Sequence, residues 1–130
     1  MAFRRKILIT ILIIAGFDTV ASMISRSFHY DFSSFAWGSF LIYLAIGYWD
    51  ARRCGVKYGM SLGALAGLVD STIGWFISRM IGPFIEMPIP TLTPAVVAST
   101  IVAVTAMGLV FGLIGAGLCK VFGQAKPIAA

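Results

Sequence analysis

KYGMSLGALAGLVDSTIGWFISR, residues 57–79, decides the fold. Between Lys57 and Arg79 its only charged side chain is Asp70, and Tyr58 to about Ser78 is long enough, at about 1.5 Å per residue, to cross a hydrocarbon core about 30 Å thick. A bilayer offers no water to the backbone, so such a segment is either a helix or a strand of a closed barrel. Gly59, Gly63, Gly67 and Ser71 recur every four residues, with Gly74 seven beyond Gly67, which is the period of one helix face and not the alternation of a strand.

Three more stretches of the same kind flank it. One runs from Ile7 to about Ser25 between Lys6 and Arg26, a second from about Ser33 to Trp49 between Asp31 and Asp50. The last begins after Thr93-Pro94, an N-cap followed by proline at the first helical position, and continues through residues 95–119 to Cys119, before Lys120. Of the 130 residues, 59% are hydrophobic and 12% charged, about half the charged share of an ordinary soluble domain. The charges sit in short stretches between apolar runs, so no extramembrane part has a core of its own. The expected fold is all-α: a single membrane domain, residues 1–130, forming an integral four-transmembrane-helix bundle.

Arg4, Arg5, Lys6, Arg52, Arg53, Lys57, Lys120 and Lys126 fall on one side of these spans, and only Arg26 and Arg79 on the other. The positive-inside rule then puts both termini and the middle loop in the cytoplasm, as expected of a multi-pass protein of a bacterial cytoplasmic membrane. Tyr48, Trp49 and Tyr58 near the inner border, and Phe28, Tyr30, Trp37 and Trp75 near the outer one, form the matching aromatic belts. The net charge of +5 therefore reflects topology, and no nucleic-acid partner is expected. Arg4-Arg5-Lys6, the apolar run to Phe17 and Val20-Ala21-Ser22 also have the outline of a cleavable leader, against which Asp18 stands awkwardly placed. Cys54 and Cys119 have no metal-ligand spacing and read as ordinary small apolar residues.

Helices associate in lipid where small residues let backbones approach. Gly59, Gly63, Gly67 and Gly74 in the third span, and Gly108, Gly112 and Ala116 in the fourth, predict close packing of those two helices; the alternative is that they meet a second copy of the chain.

Chemistry is concentrated in two acids. Asp18 lies 12 residues after Lys6 and Asp70 lies 13 after Lys57, so both sit about 18 to 20 Å from the inner anchors. An acid near the centre of a span costs about 2.5–3.5 kcal/mol on insertion scales and by default faces the interior. At 100° per residue Asp70 shares a face with Gly63, Gly67 and Gly74, and Asp18 with Ala15, Ser22 and Ser25. Either the pair is neutralised by protons, by hydroxyls such as Ser22 and Ser71, or by Arg26 and Arg79; or it lines a polar cavity for a proton, a cation or a cationic solute. Ala15-Gly16, Asp18 and Ile24-Ser25-Arg26 mirror Ala66-Gly67, Asp70 and Ile77-Ser78-Arg79. Two parallel hairpins related by a pseudo-twofold axis would bring the acids face to face.

No HExxH, Gly-Lys-Ser/Thr or CxxC motif occurs, and the single histidine, His29, excludes bis-histidine haem ligation within one chain. No catalytic residue, metal site or cofactor is expected. His29 and Asp31 read as polar loop residues, and the run Pro88 to Pro94 as a stiff re-entry loop or a docking surface. Four spans, short loops and an acid in the first helix resemble the small multidrug-resistance transporters. That likeness covers topology and Asp18 only: the family carries glutamate in its first helix and balanced loop charges. The leading expectation is a non-enzymatic accessory or assembly subunit of a membrane complex, partnered by lipid and by other membrane subunits or its own copies. The alternative is a small homo-oligomeric channel or proton/cation-coupled carrier using Asp18 and Asp70.

Overall fold

A computed structural model describes residues 2–86, 88 and 90–123. It is helical, with no strand among the described residues: α1 (Ala2–Phe28), a short 3-10 turn (Phe32–Phe35), α2 (Ala36–Cys54), α3 (Val56–Val69), a π-helical turn (Asp70–Gly74), α4 (Trp75–Ile81) and α5 (Pro94–Phe122). α3, the π turn and α4 form one continuous rod, Val56–Ile81.

The ends follow local chemistry. Gly55 alone joins α2 to α3, at φ 93°, where a side chain would be strained. Gly82, at φ 69°, stops α4 in the left-handed conformation, and Pro83 follows. Thr93 caps α5 through its side chain, which accepts from Val96 N, with Pro94 opening the helix as the sequence predicts. α1 is longer than the span 7–25 because its helix continues through the basic residues at one end and Arg26 at the other. The second span starts later than Ser33, since Asp31 caps a 3-10 turn before α2 begins.

Three helices are long and apolar enough to cross a membrane: Phe3–Phe28, Val56–Ile81 and Pro94–Phe122. α2 is 19 residues long and carries Asp50, Arg52 and Arg53 near its end, which leaves an apolar length of about 20 Å. Burial is the reverse of a water-soluble fold. Leu12 is 62% exposed and Val102 68%, whereas Asp18, Ser22, Ser25, Ser39, Ser71 and Ser78 are buried. Large apolar side chains outside and hydroxyls inside suit a chain solvated by lipid, and the protein is a membrane protein.

Helices α3 and α5 lie along one another. A Cβ on Gly63 would come within 2.6 Å of the Gly108 carbonyl and the Gly112 Cα, and one on Gly112 within 2.8 Å of the Gly63 Cα. Gly67 faces Val104, Thr105 and Gly108, and Gly59 faces Ala116. α2 closes on the same seam, Gly47 meeting Gly112 and Gly115 meeting Leu44, a third backbone approach that glycine spacing within α3 and α5 does not announce. A compact apolar core, Ile14, Tyr43, Ile46, Leu62, Ala66 and Val69, fills the middle, with Phe40 stacked on Phe111 at 4.8 Å. α1 lies mainly against α3 and α4 and barely meets α2. The two hairpins are thus packed differently: Gly67 is wedged against α5, and its sequence counterpart Gly16 has open space around it.

Candidate functional site

The site forms where α1 crosses the π turn. On α1, Asp18, Ser22 and Ser25 fall on one face, as their spacing predicts, and all three are buried. Opposite them the helix widens at Asp70–Gly74; π turns of this kind recur at functional sites. Gly74 is the key to the crossing. A Cβ there would collide with the Asp18 carboxylate, its Cγ 2.8 Å away, and would stand 3.2 Å from Asp70 Oδ1. Both carboxyl groups therefore crowd one point that only glycine leaves open. Gly74 is thus a packing glycine, but it admits α1 here and is not part of the α3–α5 seam that its spacing suggested.

The two acids, 52 positions apart in sequence, meet side by side. The Tyr43 hydroxyl of α2 donates to Asp70 Oδ2, and Ser39, one turn earlier on α2, lines the same space. Ser22 Oγ donates to Ser78 Oγ at 3.0 Å, tying α1 to α4 one turn beyond the acids. Ser71 instead turns back to the Leu68 carbonyl at 3.1 Å, though it still lines the cavity. Asp18 Oδ2 is buried and has no hydrogen-bond partner among the described residues. Burying a carboxyl oxygen unpartnered is costly, and Oδ2 is pressed against Gly74, while the Asp18 side of the crossing lines an open space.

That space is a cavity of about 220 Å³ bounded by the acids, Tyr43, Ser39 and the rings of Phe17, Phe32, Phe35, Phe40 and Trp75. It reaches Phe32 and Ser33 in the loop after α1. In the other direction Ile14, one turn before Asp18, and Ala66, one turn before Asp70, are fully buried. The loop side is fastened rather than open. Ser25 Oγ donates to the Tyr30 carbonyl at 2.6 Å and accepts from Phe84 N at 3.0 Å, and Phe32 N donates to the Phe84 carbonyl at 2.9 Å. Asp31, whose carboxylate caps Ser33, also accepts from Glu86 N at 3.4 Å, so the segments after α1 and α4 are stitched together. The Ser33 hydroxyl holds the Asp31 carboxyl below the usual carboxylate range.

Arg26 and Arg79 do not neutralise the acids. The Arg26 guanidinium donates to the Ile81 carbonyl at 2.8 Å, and that of Arg79 lies over the Trp75 ring, 4.7 Å from its centroid. Both are exposed, and the helix turns that carry them place them beyond the cavity. His29 packs its ring 5.7 Å from that of Phe84, and no group of three metal-ligating side chains forms among the described residues. At the far end of α1, Lys6 Nζ pairs with Asp50 Oδ1 at 2.5 Å and donates to Cys54 Sγ at 3.2 Å. Cys54 is thus an exposed hydrogen-bonding residue and not an apolar filler, while Cys119 is buried.

Sequence reasoning missed Tyr43, Ser39 and Ser78. The signal for Ser78 was present in its place within the mirrored Ile-Ser-Arg triplet; Tyr43 and Ser39 lie four apart on α2, but nothing local marks a tyrosine in an apolar run as a partner of an acid.

Comparisons with protein families, with characterised proteins and with solved structures return no match. The likeness to small multidrug-resistance transporters accordingly stays one of chain layout and a single acid.

Proposed function

We propose that this protein is a four-span membrane carrier that exchanges a small cation for protons at the Asp18–Asp70 pair, with both termini in the cytoplasm. The observation that carries the reading is the convergence of two acids from separate helices on a cavity whose walls are aromatic. Carboxylates supply charge and rings supply cation–π attraction, the combination that recognises quaternary and aromatic ammonium groups. A volume of about 220 Å³ is below the roughly 300–1,000 Å³ of drug-sized sites, which favours a small organic cation.

Exchange follows from electrostatics. Two negative charges crowded into one lipid-shielded cavity repel strongly, so a proton and a cation compete for the pair. An incoming cation supplies the missing positive charge and releases that proton; reprotonation expels the cation. α2 is the fourth span in this reading: Gly47 locks it onto α5, Trp49 sits at the border, and Arg52 and Arg53 reach the inner interface. Four helices in one chain enclose little pathway, and the exposed apolar face of α5 serves lipid or a second copy.

The test is flux in proteoliposomes. Radiolabelled tetraethylammonium should accumulate or leave under an imposed pH gradient, and Asp18→Asn and Asp70→Asn should each reduce flux to background while inserting and assembling normally. Wild-type vesicles that move neither organic cations nor Na⁺ or K⁺, from a protein that extracts as a stoichiometric complex with unrelated membrane subunits, would overturn the carrier reading in favour of an accessory subunit.

A further inference from the structure

The sparse contact between α1 and α2 leaves a second, larger feature, remote from the acid pair: a groove of about 660 Å³ at the end of the molecule that carries the chain's basic clusters. Its walls are Ile9 and Ile13 of α1 and Ile42, Ala45 and Ile46 of α2, and its mouth is set by Arg5 and Arg53. Lys6 and Asp50 lie between them but satisfy one another at 2.5 Å. The uncompensated charge at the mouth therefore comes from the two arginines, which make no ion pair or hydrogen bond among the described residues and are both exposed. Trp49, 61% exposed, stands beside them at the height where indoles anchor to an interface.

We propose that this groove is a binding site for an anionic phospholipid of the cytoplasmic leaflet, its phosphate held between Arg5 and Arg53 and one acyl chain lying along the isoleucines between α1 and α2. Charge complementarity selects the occupant. Guanidinium forks match phosphate oxygens geometrically, basic pockets between transmembrane helices hold acidic headgroups, and the mainly apolar walls beneath the charges favour an acyl chain over a merely soluble anion. The lipid fills the wedge that α1 and α2 leave open and so acts as a packing element of the fold, independent of any transport at the acid pair.

The experiment uses the intact protein, delipidated in a mild detergent and titrated with phosphatidylglycerol or phosphatidylcholine, with retained lipid counted by native mass spectrometry. The wild type should retain phosphatidylglycerol preferentially, and each of Arg5→Gln and Arg53→Gln should weaken retention about fivefold. Arg52→Gln/Lys57→Gln, which removes two charges outside the groove, should leave the preference intact. Ala45→Phe, which fills the groove without changing charge, should lower retention of both lipids. Equal loss in the Arg52/Lys57 control would reduce the effect to general surface charge and overturn the site. Undiminished preference in the Arg5/Arg53 double variant, or complete displacement of the lipid by millimolar inorganic phosphate, would overturn it as well.

Discussion

Replacing Gly63 by alanine asks whether the α3–α5 seam holds the fold. The added Cβ would lie 2.6 Å from both the Gly108 carbonyl oxygen and the Gly112 Cα. Carbon contacts settle near 3.5–4.0 Å, so the two backbones must separate by about 1 Å there. Neither neighbour is a side chain that can swing aside. Overpacking of this sort costs about 1–3 kcal/mol, against which the better helix propensity of alanine returns up to about 1 kcal/mol. Gly117 lies on the same helix as Gly108 and Gly112 but has nothing within 4 Å, so Gly117→Ala keeps the propensity gain without the clash. Reversible unfolding in mixed micelles, titrated with SDS, should show Gly63→Ala less stable than wild type by about 0.5–2 kcal/mol and Gly117→Ala equal to or more stable than it. Equal stability of the two variants would refute the claim that backbone approach at this level determines the packing.

Tyr43→Phe should cost about 1–2 kcal/mol in the same titration, because it strips a donor from a partly buried carboxyl. The same change made in an Asp70→Ala background should cost far less, and additive effects would show that the hydroxyl acts elsewhere. Asp31 gives a pH prediction: its carboxyl is held down chiefly by the Ser33 hydroxyl, so the contact's contribution is fully present above the ordinary carboxylate range and fades as pH falls through the lowered value. Titration of the Asp31 carboxyl carbon by NMR should show a midpoint below that of a free aspartate, rising in Ser33→Ala; an unchanged midpoint would remove the hydroxyl as its cause.

What the sequence determined by itself is what depends on short-range rules. Uninterrupted apolar length demands helices, because a backbone in lipid must satisfy its own hydrogen bonds. Glycine at intervals of four marked Gly63, Gly67, Gly108 and Gly112 as contact points, because face periodicity is a property of the helix alone. Thr93-Pro94 fixed the start of α5 for the same reason. The shared face of Asp18, Ser22 and Ser25 was likewise legible, since rotation per residue places any side chain on its own helix.

Tertiary structure decided what no single helix contains. The π turn at Asp70–Gly74 has no local sequence signature. Gly74, spaced like a packing residue, turns out to clear room for the Asp18 carboxyl, because α1 and not α5 crosses at that height. Arg26 and Arg79, close to the acids in sequence depth, are drawn instead to a carbonyl and an indole. The mirrored motifs around the two acids do not extend to equal hairpins, because α1 leans on α3 and α4 and leaves α2 to join α5. That unequal packing sets Tyr43 against Asp70 and opens the groove between α1 and α2. Interhelical angles and partner choice depend on the fit of whole surfaces, a sum over many weak contacts that the spacing of residues along one chain segment does not encode.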